Sequence, residues 1–240
     1  MPVIESTENI IQLFTTGFCA GLSAYRAFKT GKHAWVLLFF AAFVYFLGDI
    51  YWQLYLTFYG ETPHYSNISY AGWYACYLFL ILLVHDIRGH RDKTPYSRFL
   101  LLIPVFTAGM CVFYLQYGDV IGNILAAVLM SILIWVTIDT LMQCKKKELS
   151  KSDALHTNMN RIGLYILVLV FCFAEYAAWT TSCFWMGDTF ANPYFYFDTV
   201  LSFTFLIFPY ALKSALKEQG KVTDGYEDHN TPDGKAAQDD

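Results

Sequence analysis

All 16 Lys and Arg residues of this 240-residue chain fall in four short clusters. Arg26, Lys29 and Lys32 form the first; Arg88, Arg91, Lys93 and Arg98 the second; Lys145, Lys146, Lys147, Lys151 and Arg161 the third; Lys213, Lys217, Lys221 and Lys235 the fourth. Between successive clusters lie two apolar runs joined by a segment without a single basic residue. Cations confined to alternate connections are the mark of a chain threading a bilayer, because basic residues stay on the cytoplasmic side. A span needs about 20 mostly apolar residues at a rise of about 1.5 Å each. The pattern predicts an all-α bundle of seven transmembrane helices: Ile10–Phe28, Ala34–Tyr59, Tyr70–Val84, Phe99–Tyr117, Val120–Met142, Ile162–Trp185 and Tyr194–Leu212. The charge clusters place the N-terminus outside and the C-terminus in the cytoplasm. Composition agrees: 56% hydrophobic and 19% aromatic against 15% charged, where a soluble domain carries roughly a quarter charged residues. Soluble globules, disordered chains, nucleic-acid binders and secreted disulfide scaffolds are thereby excluded.

The first basic residue, Arg26, follows the first apolar run, so that run is expected to remain in the protein as a span rather than leave as a signal peptide. The expected location is the cell membrane, multi-pass. Cys19, Cys76, Cys111, Cys172 and Cys183 lie in or beside spans and Cys144 at an inner edge, which fits packing residues better than a disulfide framework. Asn67-Ile68-Ser69 forms a glycosylation sequon on the outer side. Residues 1–216 are expected to make the membrane domain, and 217–240, acidic and rich in Gly and Asn, a disordered cytoplasmic tail.

The second and sixth spans share a pattern. Trp52 is followed after seven residues by Gly60-Glu61-Thr62, and Trp179 after seven residues by Gly187-Asp188-Thr189. An acid lies slightly deeper in each, Asp49 or Glu175, and a proline, Pro63 or Pro193, follows in the outer loop. A three-plus-one-plus-three arrangement with parallel repeats produces that spacing.

Ionisable groups inside hydrocarbon cost about 2.5–3.5 kcal/mol each on insertion scales and require a reason. Asp49 and Glu175 lie near the expected midplane, Asp198 one turn into the seventh span and Asp139 one turn from the cytoplasmic end of the fifth. Aromatic residues gather at the same outer depth, among them Trp52, Tyr55, Trp73, Tyr74, Tyr77 and Trp179; their faces suit a planar or cationic ligand. The expected site is an outward-facing cavity floored by Asp49 and Glu175 and lined by Trp52, Tyr55, Tyr77 and Trp179, with Asp198, Glu61 and His64 near its mouth. Asp139 is expected to be solvated and paired with the lysines that follow it. His85, Asp86, His90 and Asp92 read as a hydrated juxtamembrane loop rather than a metal site, and no cofactor is expected. Lys145-Lys146-Lys147 is placed to meet anionic lipid headgroups. The seventh span has no Lys for a retinal Schiff base, and the signatures His-Glu-x-x-His, Gly-x-Gly-Asp, Gly-x-Ser-x-Gly and Gly-x-x-x-x-Gly-Lys do not occur.

Gly48-Asp49-Ile50-Tyr51-Trp52, followed by Tyr55, Gly60, Pro63, Ser66 and Tyr74, resembles the multi-helix membrane sensory module at the N-terminus of some bacterial diguanylate cyclases and phosphodiesterases. The resemblance covers about thirty residues and implies sensing with a cytoplasmic signalling partner. The chain departs from those proteins in carrying no attached catalytic domain, so cyclase activity is not implied. The Gly-Asp near the end of an early helix also gives a fainter likeness to the bacterial membrane lysoplasmalogenases, which would make Asp49 and Glu175 a hydrolytic carboxylate pair; the family's later Ser-Asp motif is missing. Three functions follow as expectations: ligand sensing or binding first, a proton- or cation-coupled transporter second, a lysolipid hydrolase third. The expected partners are the bilayer and a small cationic or aromatic ligand, and nucleic acid is excluded.

Overall fold

The computed structural model describes residues 3–60, 67–88, 96–117, 120–150, 155–184 and 189–227. They form seven α-helices: α1 (Val3–Thr30), α2 (His33–Tyr59), α3 (Asn67–Arg88), α4 (Leu102–Tyr114), α5 (Val120–Ser150), α6 (Leu155–Ser182) and α7 (Pro193–Glu227). Among the described residues there is no strand. Short 3₁₀ turns, Arg98–Leu101 and Thr189–Ala191, lead into α4 and α7. The tight α1–α2 hairpin turns at Gly31, whose φ of 64° is open to glycine at no steric cost and whose N–H closes on Ala27 O at 2.9 Å. Helix α7 runs to Glu227, into the segment read as a tail, and α5 and α6 extend well into the basic connection between them.

Five of the helices are long and apolar enough to cross a membrane: His33–Tyr59, Ile68–Arg88, Val120–Cys144, Met159–Ser182 and Pro193–Lys217. The two that fall outside that set do so for different reasons. Arg98–Tyr114, which ends in α4, is short. Helix α1 is long, but a polar stripe lowers its hydropathy: Glu8, Gln12, Thr15, Thr16 and Ser23 are buried, whereas Ile10, Ile11, Phe14 and Phe18 are exposed. That is a soluble helix turned inside out. Apolar side chains at least half exposed occur on every helix, for example Phe14, Phe58, Leu82, Val105, Ile121, Phe173 and Phe203. So much outward-facing hydrocarbon needs an apolar solvent, and the chain is a multi-pass membrane protein.

Helices α1, α2, α3, α5, α6 and α7 form a closed ring in that order, each packed on the next and α7 on α1, while α4 rides on α5 outside it. Across the ring α2 meets α7 and α3 meets α6. Exchanging α1 with α5, α2 with α6 and α3 with α7 maps this set of neighbours onto itself. The interior is aromatic: Phe171, Phe205 and Phe208 are completely or almost completely buried, with ring centroids 5.8–6.1 Å apart.

The basic connections meet at one end, hereafter the basic end. There His33 Nδ1 lies 3.4 Å from Asp86 Oδ1 and Lys32 Nζ 3.5 Å from Leu216 O. Arg88 donates to Asp139 Oδ2 at 2.7 Å, with both side chains under a tenth exposed. Asp139 is therefore buried rather than solvated, with Arg88 of a neighbouring helix as its cation. The lysines after it continue its own helix, whereas the α3–α5 contact brings Arg88 alongside, and Gln143 adds a second bond at 3.2 Å. His90 and Asp92 lie outside the described residues.

Helices α2 and α3 cross where two glycines meet. A Cβ on Gly72 would stand 2.5 Å from Val44 O and 3.3 Å from the Gly48 backbone. Small residues let membrane helices approach to backbone contact, and Ser69 Oγ uses the proximity to donate to Gly48 O at 3.1 Å. Gly72→Ala is expected to force the pair apart and cost about 1–3 kcal/mol, the usual penalty of overpacking. Thermal unfolding in detergent checks this, with Gly163→Ala, where a Cβ meets nothing within 4 Å, leaving stability unchanged or slightly raised.

Candidate functional site

The end of the bundle opposite the basic end holds four buried carboxyl groups on four helices: Glu8 on α1, Asp49 on α2, Glu175 on α6 and Asp198 on α7. Each is between 4% and 8% exposed. At about 1.5 Å per residue, Asp49 stands about 15 Å in from the end of α2 and Asp198 about 8 Å in from the start of α7. Helical periodicity aims them inward, since Tyr45 lies one turn below Asp49 and Phe171 one turn below Glu175, both in the aromatic interior.

Their partners come from neighbouring helices. Asp49 accepts from Trp73 Nε1 at 3.1 Å through Oδ1 and from Thr16 Oγ1 at 3.5 Å through Oδ2. The Gly48–Gly72 crossing makes the first of these bonds possible, because Trp73 follows Gly72 directly. Asp198 accepts from Gln12 Nε2 at 3.2 Å, and Glu8 stands one turn before Gln12 on α1. The hydroxyls of Tyr45 and Tyr77 face Glu175, whose Oε1 otherwise has no partner among the described residues. Asp49, Glu175 and Asp198 lie close enough to repel one another, and Tyr194 lies within the field of all four acids. Among the described residues no Lys or Arg bonds to the cluster; Lys32 and Arg88 make their contacts at the other end.

Among the described residues no three His, Cys, Asp or Glu side chains converge closely enough to hold a metal ion. All six cysteines are thiols rather than disulfides.

The structure divides what the sequence placed in one cavity. Asp49, Glu175 and Asp198 come together, with Tyr77 against Glu175, but they are enclosed rather than at the floor of an open cleft. Trp52 packs on Trp73 with centroids 5.9 Å apart, one ring removed from Asp49. Tyr55 stacks along its own helix, 4.6 Å from Tyr59. Trp179 points elsewhere, into a separate polar pocket of about 300 Å³ between α3, the end of α4, α5 and α6 that Tyr70, Tyr114 and Asn123 also line. An apolar cleft of about 340 Å³ lies between α4 and α6, lined by Phe106, Phe173 and Tyr176 among others. Glu61 and His64 lie outside the described residues.

Glu8, Gln12 and Thr16 lie outside the site that the sequence predicts, Glu8 because it precedes the first predicted span at Ile10. Their spacing of four residues on α1 was the available signal: a polar stripe recurring once per turn in an otherwise apolar helix faces protein, not lipid. Comparison of the chain with protein-family models, with characterised proteins and with solved structures found no match.

Proposed function

We propose that the protein is a seven-span membrane protein that binds protons in the enclosed carboxyl cluster and links them to binding of a small ligand. The observation that carries this reading is the cluster's composition: four buried acids on four helices at one end of the bundle, with no Lys or Arg among the described residues beside them. Several like charges at such proximity in a buried layer cannot all ionise, so part of the layer holds protons. Protons suit the cluster better than a metal ion because its oxygens do not converge on one point.

The positive-inside rule turns the carboxyl end outward, in the cell membrane, and the basic end to the cytoplasm. The inverted polarity of α1 and the exposed apolar face of α4 support membrane insertion of all seven helices. The aromatic interior around Phe171, Phe205 and Phe208 separates the carboxyl layer from the basic end, so protons enter and leave from the outer side in this conformation. The symmetric neighbour pattern of the ring supports the repeat of α1–α3 in α5–α7, an arrangement in which carriers place their coupling sites between repeats. A signalling protein that reports ligand or proton binding to a cytoplasmic partner uses the same cluster. Hydrolysis of a lysolipid fits less well, because Asp49 and Glu175 are closed off from a headgroup.

Infrared difference spectra of the reconstituted chain across a pH step test the proposal. Deuterium-sensitive bands of protonated carboxyl groups are expected at neutral pH and expected to shrink in Asp198→Asn. A spectrum with no such bands would refute it.

A further inference from the structure

We infer that the pocket between Tyr70, Tyr114 and Trp179 is a binding site for a small organic cation bearing a methylated ammonium group. Trp179 is held between two tyrosines, stacked on Tyr114 at 5.6 Å and tilted against Tyr70 at 6.3 Å. Tyr70 continues the wall by stacking on Tyr74 at 6.0 Å. Four tyrosines and a tryptophan, with no acid among the lining residues, bound a space of about 300 Å³, the setting in which an ammonium group is attracted to rings instead of to a counter-ion.

The polar atoms agree with a cation. Asn123 Nδ2 donates to Tyr114 O at 3.1 Å, Ser182 Oγ to Trp179 O at 2.7 Å and Cys183 Sγ to the same carbonyl at 3.4 Å. One N–H of Asn123 and the protons of Ser182 and Cys183 are thus committed to the backbone, leaving Asn123 Oδ1 and the hydroxyl lone pairs as acceptors. An anion would find no Lys or Arg in this lining, while a cation finds acceptors and rings. The size admits one small head and one ring, within the usual lower range of ligand pockets.

The pocket also touches the carboxyl cluster. Tyr70 packs on Trp73 at 5.6 Å, and Trp73 holds Asp49. Tyr74 packs on Tyr77 at 6.2 Å, and Tyr77 faces Glu175. Two ring pairs on one face of α3 therefore join the pocket to two acids, so a cation in the pocket favours loss of protons from the cluster. This coupling rests on the proton-binding proposal; the binding site itself does not.

Titration calorimetry of the full chain in detergent with phenyltrimethylammonium tests both parts, using uncharged tert-butylbenzene as the shape control. The expected result is saturable binding of the cation, at least tenfold tighter than the control. Trp179→Leu is expected to weaken it at least tenfold, and Tyr117→Leu, at the exposed rim, severalfold with no change in unfolding temperature. Affinity is expected to rise with pH in the native chain and to lose most of that dependence in Asp49→Asn/Glu175→Gln while binding persists. Equal affinity for the two probes, or unaltered binding in Tyr117→Leu and Trp179→Leu, would overturn the site. Binding that is charge-selective but independent of pH in the native chain would overturn the coupling and leave the site standing.

Discussion

Replacing Asp49 by Asn together with Glu175 by Gln is expected to remove proton-linked ligand binding, a loss of at least about tenfold in the linkage, equivalent to about 1.4 kcal/mol, while the protein still inserts and folds. The changes keep shape and remove charge. The amide oxygen introduced at position 49 still accepts from Trp73 Nε1, which now sits 3.1 Å from Asp49 Oδ1, and the new amide nitrogen gains a donor toward Thr16 Oγ1. The amide introduced at position 175 still meets the hydroxyls of Tyr45 and Tyr77. Two exchangeable protons are nevertheless gone from the layer. Proton release by the reconstituted protein, measured with a pH-sensitive dye as ligand is added, reads the effect; release equal to that of the native chain would refute a role for this pair. Glu8 and Asp198 remain, so a residual response from those two acids is the expected remainder, reduced further on adding Asp198→Asn.

The second large effect concerns the basic end. Arg88→Ala is expected to destabilise the bundle by about 3–5 kcal/mol, because it leaves the Asp139 carboxylate buried beside Gln143 without its cation. Burial sets the size: both side chains of the pair are under a tenth exposed, whereas surface ion pairs contribute about 0–1 kcal/mol. Removing both members, Arg88→Leu with Asp139→Leu, is expected to recover most of the loss, since the cost lies in the stranded charge more than in the missing attraction. Thermal melts of the two variants in one detergent decide it. A double variant as unstable as Arg88→Ala alone would show that the pair's geometry, not its charge balance, holds α3 against α5.

The two ends of the bundle illustrate how far one-dimensional information reaches. Lys and Arg clusters alone predicted a helical membrane bundle, and the cost of charge in hydrocarbon singled out Asp49, Glu175 and Asp198. These are properties of single residues and of local composition, so they need no knowledge of neighbours. Partners are a different matter. Asp139 was assigned to the nearest lysines in sequence, yet it pairs with Arg88 because α3 lies beside α5. Trp52 and Trp179 hold matching places in the repeated pattern, but their helices send one onto Trp73 and the other toward a ring-lined pocket.

Sequence by itself determined the solvent, the helical class and the acids that hydrocarbon does not tolerate without cause, since transfer free energy acts residue by residue. Tertiary structure decided which of those acids share a site, that Glu8 on the inverted α1 joins them, and that they are enclosed beside an aromatic pocket instead of open to it. Those outcomes depend on which helices lie side by side, and that order is set by contacts such as the Gly48–Gly72 crossing, between residues whose separation along the chain carries no trace of their distance in space.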